Sequence, residues 1–322
     1  MHIRKGYVIL NRMIHPEVFI VELTAFQREL QEKLPQIVLR CQEPMAKHTS
    51  FRIGGCVEVM AFPKSAEELS ALLKTSALLD RKPIILGAGT NVLAPDEGME
   101  GIVICLKDSL DGIALLDDNK IRVAAGVTMT KAAVFAANHG LSGLEFAHGI
   151  PGTVGGGVYM NAGAYGGEIC QVCESVEVMD MQGNIRVLSK DDMMFSYRHS
   201  RLEDEEGIVL SAVFALTPKP KTEIREQMRT LMAKRSASQP LDLPSAGSAF
   251  KRPVGGYAAA LIDQNGLKGF QIGGAAVSMK HAGFVVNLDN ATAADVKELL
   301  VQVSDRVYEA SGIRLEPEVR IW

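Results

Sequence analysis

Residues 149–167 read GIPGTVGGGVYMNAGAYGG, a run in which eight of 19 positions are glycine. Glycine loses more conformational freedom on folding than any other residue, so a plain connection rarely concentrates it this way. The residues between the glycines argue against a flexible linker, since Pro151, Thr153, Tyr159, Met160, Asn161 and Tyr165 all favour order. The run reads as a loop at which the backbone meets a cofactor or substrate.

Upstream stands a second glycine loop, Gly87-Ala88-Gly89-Thr90-Asn91-Val92-Leu93, directly after the β-like Pro83–Leu86. Without side chains a phosphate can approach the backbone N–H groups, and Thr90 and Asn91 offer further donors. It is not a P-loop, because no Gly-Lys-Ser/Thr follows. It also fails the dinucleotide fingerprint, because Val92 stands where the third glycine belongs. Around it the pattern is β-α-β. The strand-like VEVMAF begins at Val57, and Ser65 with Glu68 reads as a capping box opening the helical SAEELSALLKTSALL.

Further β-like runs follow at 102–106, 121–125, 172–181, 185–188 and 208–216, with a helix at 129–139 and a hairpin turn at Gln182-Gly183. Thr217-Pro-Lys-Pro-Lys-Thr222 carries two prolines and no apolar residue, which reads as a linker and a domain boundary. Beyond it come a helix at about 222–235, a strand at 284–288, a helix capped by Thr292 and ended by Gly312, and a closing strand over IRLEPEVRIW. Ahead of the first strand, Phe19, Leu23, Phe26, Leu30 and Leu34 recur at helical spacing, which predicts a helix over 16–35. The expected organisation is an N-terminal extension and helix at 1–46, a domain over 47–218 in two lobes (about 47–106 and 107–218), and a C-terminal domain over 219–322.

The bulk numbers narrow the function classes. The 322 residues are 47% hydrophobic and 22% charged, ordinary for a globular protein that buries a sizeable core. A formal net charge of -4 gives no general attraction to nucleic acid or to a membrane surface. No apolar run approaches the roughly 20 residues that span a bilayer, and the first residues show no leader-like apolar core, so a cytoplasmic location is expected. Five cysteines lack a disulfide-like framework. Cys170 and Cys173 read as small residues leading into a strand rather than half of a zinc site, and no metal is expected.

Eight segments, in this order, carry a resemblance: KHTSFRIGG (47–55), GAGTNVL (87–93), GIPGTVGGGVYMNAGAYGGE (149–168), SYRHSR (196–201), AGSAFKRP (246–253), LIDQNGLKG (261–269), GGAAVSMKHAGF (273–284) and LEPEVR (315–320). Together they closely resemble the UDP-N-acetylenolpyruvoylglucosamine reductase (MurB) family of flavoenzymes, over about 47–322. The short stretch between Arg198 and Ser248 resembles its shorter (type II) subgroup. The fold this implies is α+β: a two-lobed FAD-binding domain of the vanillyl-alcohol-oxidase (PCMH) type plus a C-terminal α+β substrate domain. The activity implied is NADPH-dependent reduction of UDP-N-acetylenolpyruvoylglucosamine to UDP-N-acetylmuramate through bound FAD, a step of peptidoglycan precursor synthesis. The alternative is another FAD-dependent sugar or alcohol oxidoreductase of the same superfamily. The implied partner is a small UDP-linked amino sugar, and the chain is expected to act as a monomer.

The resemblance also implies site residues. Gly87, Ala88, Gly89, Thr90, Asn91, Val92 and Leu93, with Ile150, Pro151, Gly152, Thr153, Gly155, Gly156, Asn161, Ala162 and Gly163, fall on the flavin-binding loops, and His48 to Gly55 is expected nearby. Arg198 matches the stabilising cation, Ser248 the proton donor and Glu318 the catalytic glutamate. Tyr197, Lys251, Arg252 and His281 match positions that contact the sugar nucleotide. The residue types suit the chemistry. A guanidinium holds a carboxylate in two-pronged fashion, and a serine gives up a proton only to a strong base in good position. Glu318 serves either as an acid toward the enolate or by orienting its neighbours.

Overall fold

The structure, a computed structural model, describes residues 23–322 in full and, of the first 22, the backbone of 3–4, 7–10 and 19–22. The predicted helix over 16–35 is shorter than its periodicity suggests. Phe19–Glu22 is a strand paired with Tyr7–Leu10, the helix spans Ala25–Lys33, and residues 16–18 lie outside the described part. Thr24 sets the start, because its hydroxyl accepts the Gln27 N–H while the Gln27 side chain accepts the Thr24 N–H.

The first lobe is a four-stranded sheet in the order Val38–Pro44, Cys56–Phe62, Met99–Cys105, Ile84–Leu86. Both neighbours of Met99–Cys105 run parallel to it, as the β-α-β pattern requires. The crossover helix Ala66–Leu78 buries Leu69, Leu72 and Leu73 beneath the sheet. Half of its predicted capping box forms. Ser65 Oγ accepts the Glu68 N–H, but the Glu68 carboxylate takes the N–H of Lys64 instead of that of Ser65.

The second lobe is a five-stranded antiparallel sheet, ordered Ile185–Ser189, Cys173–Met179, Ile208–Ala215, Lys120–Ala124, Ile113–Leu115. One continuous apolar core joins the lobes, running from Leu30 and Leu72 through Ile104 and Val123 to Val176 and Phe214. The stretch 217–222 that reads as a linker is exposed but tied down. Thr217–Pro218 pairs with Leu141–Ser142, the Lys219 N–H reaches the Gly140 carbonyl, and the helix Lys221–Ser238 then packs Ile224 and Met228 into the core of the lobes.

A third sheet, ordered Ser245–Ser248, Phe284–Asn287, Ala275–Val277, Gln271–Ile272, is backed by the helix Ala293–Ser311. Thr292 and Asp295 cap that helix in a reciprocal box and Gly312 ends it at φ 71°. Its core takes in Phe51, Ile53 and Leu93 from the first part of the chain. The expected closing strand shrinks to Arg320–Ile321, which pairs in parallel with Val92–Leu93, while Pro317 makes an isolated bridge to Phe250. No described helix is long and apolar enough to cross a membrane.

Candidate active site

The loop after Ile84–Leu86 is shaped by close backbone contacts. Gly89 has φ 61°, and a Cβ there would lie 2.0 Å from the His48 carbonyl oxygen. The Ser50 N–H donates to the Gly89 carbonyl at 3.0 Å, so residues 48–50 form the support under this loop. A Cβ on Gly87 would meet Thr153 Oγ1 at 2.6 Å, which brings the two glycine runs into contact. Asn91 is committed elsewhere than the sequence suggests. Its amide nitrogen donates to the Glu318 carbonyl at 3.0 Å, and its own carbonyl accepts the Arg320 N–H, tying the loop to the C-terminal segment.

The second run is not all loop, since Val154–Tyr159 is a short helix capped by Thr153. Its glycines permit close packing. A Cβ on Gly155 would stand 2.9 Å from that of Ala125, and one on Gly157 2.8 Å from Met129 Sδ. Asn161 serves as a brace behind the wall. It is 1% exposed, its amide nitrogen donates to Glu168 and to the Ser196 carbonyl, and its oxygen accepts the Cys170 N–H. Cys173 is buried at the start of its strand, where burial pushes its thiol up to about 12.

A cleft of about 1230 Å³ runs between the lobes and the third sheet. It is lined by 87–92, by 149–153 and 155–157, by Ala162 and Gly163, and by Arg198, Ser248 and Glu318. Leu93 and Asn161 do not line it. Leu93 is fully buried in the third sheet's core instead. The three catalytic candidates thus arrive from separate segments on one surface.

Arg198 sits at the tip of a tight turn closed by Ser196 and His199, with φ 56°, a conformation uncommon for a non-glycine residue. Its Nε donates to Glu318 Oε1 at 2.8 Å and its Nη2 to the Gly163 carbonyl at 3.1 Å. Those two bonds leave three of the five guanidinium N–H groups for a ligand. Burial pushes the Glu318 carboxyl up, and the Arg198 charge opposes it. Ser248 ends the strand Ser245–Ser248, where Ser245 faces Val286 and Ser248 faces Phe284, so the strand carries an extra residue. Gly247, at φ 77°, absorbs this bulge, and the Ser248 side chain is left exposed on the cleft wall. The Glu318 N–H donates to the Ala249 carbonyl, which fixes serine and glutamate on neighbouring segments.

None of Tyr197, Lys251, Arg252 and His281 lines the cleft itself. Tyr197 lies beside Arg198, whose guanidinium is 5.0 Å from its ring, and its hydroxyl accepts the Arg252 N–H at 3.2 Å. Lys251 pairs with the Glu316 carboxylate. His281 is in a turn with Nδ1 accepting the Gly283 N–H at 3.1 Å, and burial pushes its pKa down. A neutral imidazole there is no charge partner for a phosphate.

The cleft also includes residues to which the sequence had given no part in the site, among them Arg235 and Trp322. Arg235 had a signal. It continues the apolar stripe Ile224, Met228, Leu231 of its helix, and a charge on a buried face is rarely accidental.

Residues 57–189 match the family FAD binding domain, and residues 239–322 match the C-terminal domain of UDP-N-acetylenolpyruvoylglucosamine reductase. The reductase of that name from Agathobacter rectalis is 45% identical over 92% of this chain and 98% of its own length. This chain belongs to the UDP-N-acetylenolpyruvoylglucosamine reductase family. The relative from Caldanaerobacter subterraneus is 47% identical over 91% of the chain and 96% of its own. The crystal structure of the reductase (MurB) from Thermus caldophilus is 35% identical and superposes with a TM-score of 0.74, covering 89% of this chain and 99% of that one.

Membership makes the chain an FAD-binding oxidoreductase with the two-lobed α+β fold expected of it, and its own residues fit that cofactor. The walls are bare backbone where side chains would collide. The volume also exceeds the ~300–1,000 Å³ of ordinary small-molecule sites, leaving room for a cofactor and a substrate together. Residues 87–92, 150–153, Gly155 and Gly156 would hold the FAD.

Proposed function

We propose that this member of the family carries out NADPH-dependent reduction of UDP-N-acetylenolpyruvoylglucosamine to UDP-N-acetylmuramate, in the cytoplasm, as a monomer, during peptidoglycan precursor synthesis. The observation that carries this reading is the convergence of Arg198, Ser248 and Glu318 on the cleft that both glycine runs line. FAD held in this cleft would supply the hydride chemistry between NADPH and C3 of the enolpyruvyl ether.

The protein's own task is the negative charge that then develops at C2 and the adjoining carboxylate. Arg198, held by Glu318 and the Gly163 carbonyl, turns its remaining donors to that carboxylate. Ser248 hands its proton to C2, and its place on a bulge beside the Glu318 segment supports the positioning that so weak an acid needs. The ion pair with Arg198 supports an orienting role for Glu318. Lys251, Arg252 and Tyr197, the last beside Arg198, are assigned to the diphosphate end of the substrate, and His281 contributes packing more than charge.

The purified protein is expected to be yellow and to oxidise NADPH only when the enolpyruvyl sugar nucleotide is present. A colourless protein, or equal NADPH turnover without that substrate, would rule the reading out.

A further inference from the structure

Arg235 stands on the cleft wall in the last turn of the helix Lys221–Ser238. It is only 8% exposed, yet among the described residues no carboxylate pairs with it. The Tyr165 ring lies 5.9 Å from the guanidinium. The half-buried cation of the site, Arg198, has Glu318. A guanidinium does not shed its proton in a protein, so Arg235 stays charged although little of it meets solvent. The carbonyls at the end of its own helix offset only part of that cost. Its stem is also held in place, because a Cβ on Gly149 would meet Arg235 Cδ and Nε at 2.9 Å. A rigidly held, uncompensated cation facing a cleft is complete only when an anion arrives.

We infer that Arg235 is an anion anchor that takes the diphosphate of a bound nucleotide. The inference deepens the proposed function, since both FAD and the sugar nucleotide of that reaction carry a diphosphate. The fork geometry of arginine suits two phosphate oxygens at once. FAD and the sugar nucleotide are the two sources, and the test separates them.

The full-length holoprotein is compared with Arg235→Met, which keeps the packed stem and removes the charge, and with Arg235→Lys, which keeps the charge and removes the fork. Three quantities are read: the melting midpoint after the flavin is stripped, the rate of FAD release on dilution by flavin fluorescence, and the dissociation constant of UDP-N-acetylenolpyruvoylglucosamine by calorimetry. For Arg235→Met we expect a midpoint no lower than the parent's, with roughly tenfold or greater weakening of one ligand, as loss of a charge-assisted bond predicts. Faster FAD release names the cofactor as the source, and a raised dissociation constant names the sugar nucleotide. Arg235→Lys is expected to weaken the same ligand by less, and it answers the question alone if the methionine variant does not fold. Ligand constants unchanged in both variants overturn the anchor, whatever the midpoint does. A colourless parent that still binds the sugar nucleotide through Arg235 would instead fail the cofactor reading and leave the anchor standing.

Discussion

Ser248 is the weakest acid of the three central residues, and its use depends on where it sits more than on what it is. Ser248→Ala is expected to leave reduction of the bound flavin by NADPH near the parent rate and to slow its reoxidation by substrate by roughly 10²–10⁴-fold, the usual worth of a positioned proton donor. Stopped-flow absorbance separates the halves, and equal loss in both would take the proton from Ser248. Glu318 is distinguished by pH. Burial moves its carboxyl upward, and the ion pair with Arg198 requires the ionised form. Activity should therefore be present above this raised pKa and be lost as pH falls through it, with the acid limb displaced above the ordinary glutamate range. Glu318→Gln keeps an acceptor for Arg198 Nε and should lack that limb. A limb on the alkaline side would make Glu318 the proton donor instead. Residue identity alone could not reach this far. Asn91 and Asn161 look like phosphate donors in a glycine loop, but both amides are spent on other partners, the Glu318 carbonyl for Asn91 and Glu168 with the Ser196 carbonyl for Asn161.

The glycines within each element do different jobs, and the structure sorts them by what a side chain would meet. Gly89→Ala drives a Cβ into the His48 carbonyl at 2.0 Å, on backbone that must move, so it should abolish FAD retention after gel filtration. Gly247→Ala meets nothing within 4 Å and suffers only the cost of its φ of 77°, about 1–2 kcal/mol in a denaturant midpoint, with FAD retained. Equal damage from the two would mean that the clash at Gly89 is relieved by loop movement. Elements with a strong period or a cap were legible in the chain, such as the helices opened by Ser65 and Thr292 and the turn at Gly183. The short helix inside 149–167 was not, because glycine is a poor helix former and packing against Ala125 and Met129 overrides that preference. The strand at Phe19–Glu22 was missed for a related reason: an apolar spacing of three and four cannot tell a helix from a strand and a helix in succession.

Across the molecule, the cleft exists only because three sheets and the last residues of the chain close on the same space, with Arg320–Ile321 strapped to Val92–Leu93 and Ser50 Oγ donating to the Ser245 carbonyl at 2.6 Å. A ligand that fills such a seam stabilises all its walls at once. FAD at a hundredfold excess over its dissociation constant should add about 2.7 kcal/mol, read as a higher, sharper thermal transition than that of the flavin-stripped chain. An unchanged midpoint would mean that the cofactor is not bound between the lobes. The sequence by itself determined the family and the two glycine runs, and it singled out Arg198, Ser248 and Glu318 as candidates, because motif order and residue chemistry are local properties of the chain. Only the tertiary structure decided that Arg198 leans on Glu318 from 120 positions away, that Asn161 faces inward, and that Arg235 brings an unpaired charge to the wall. Which side chain meets which, and what water can reach, are settled by packing between segments, and no local pattern carries that information.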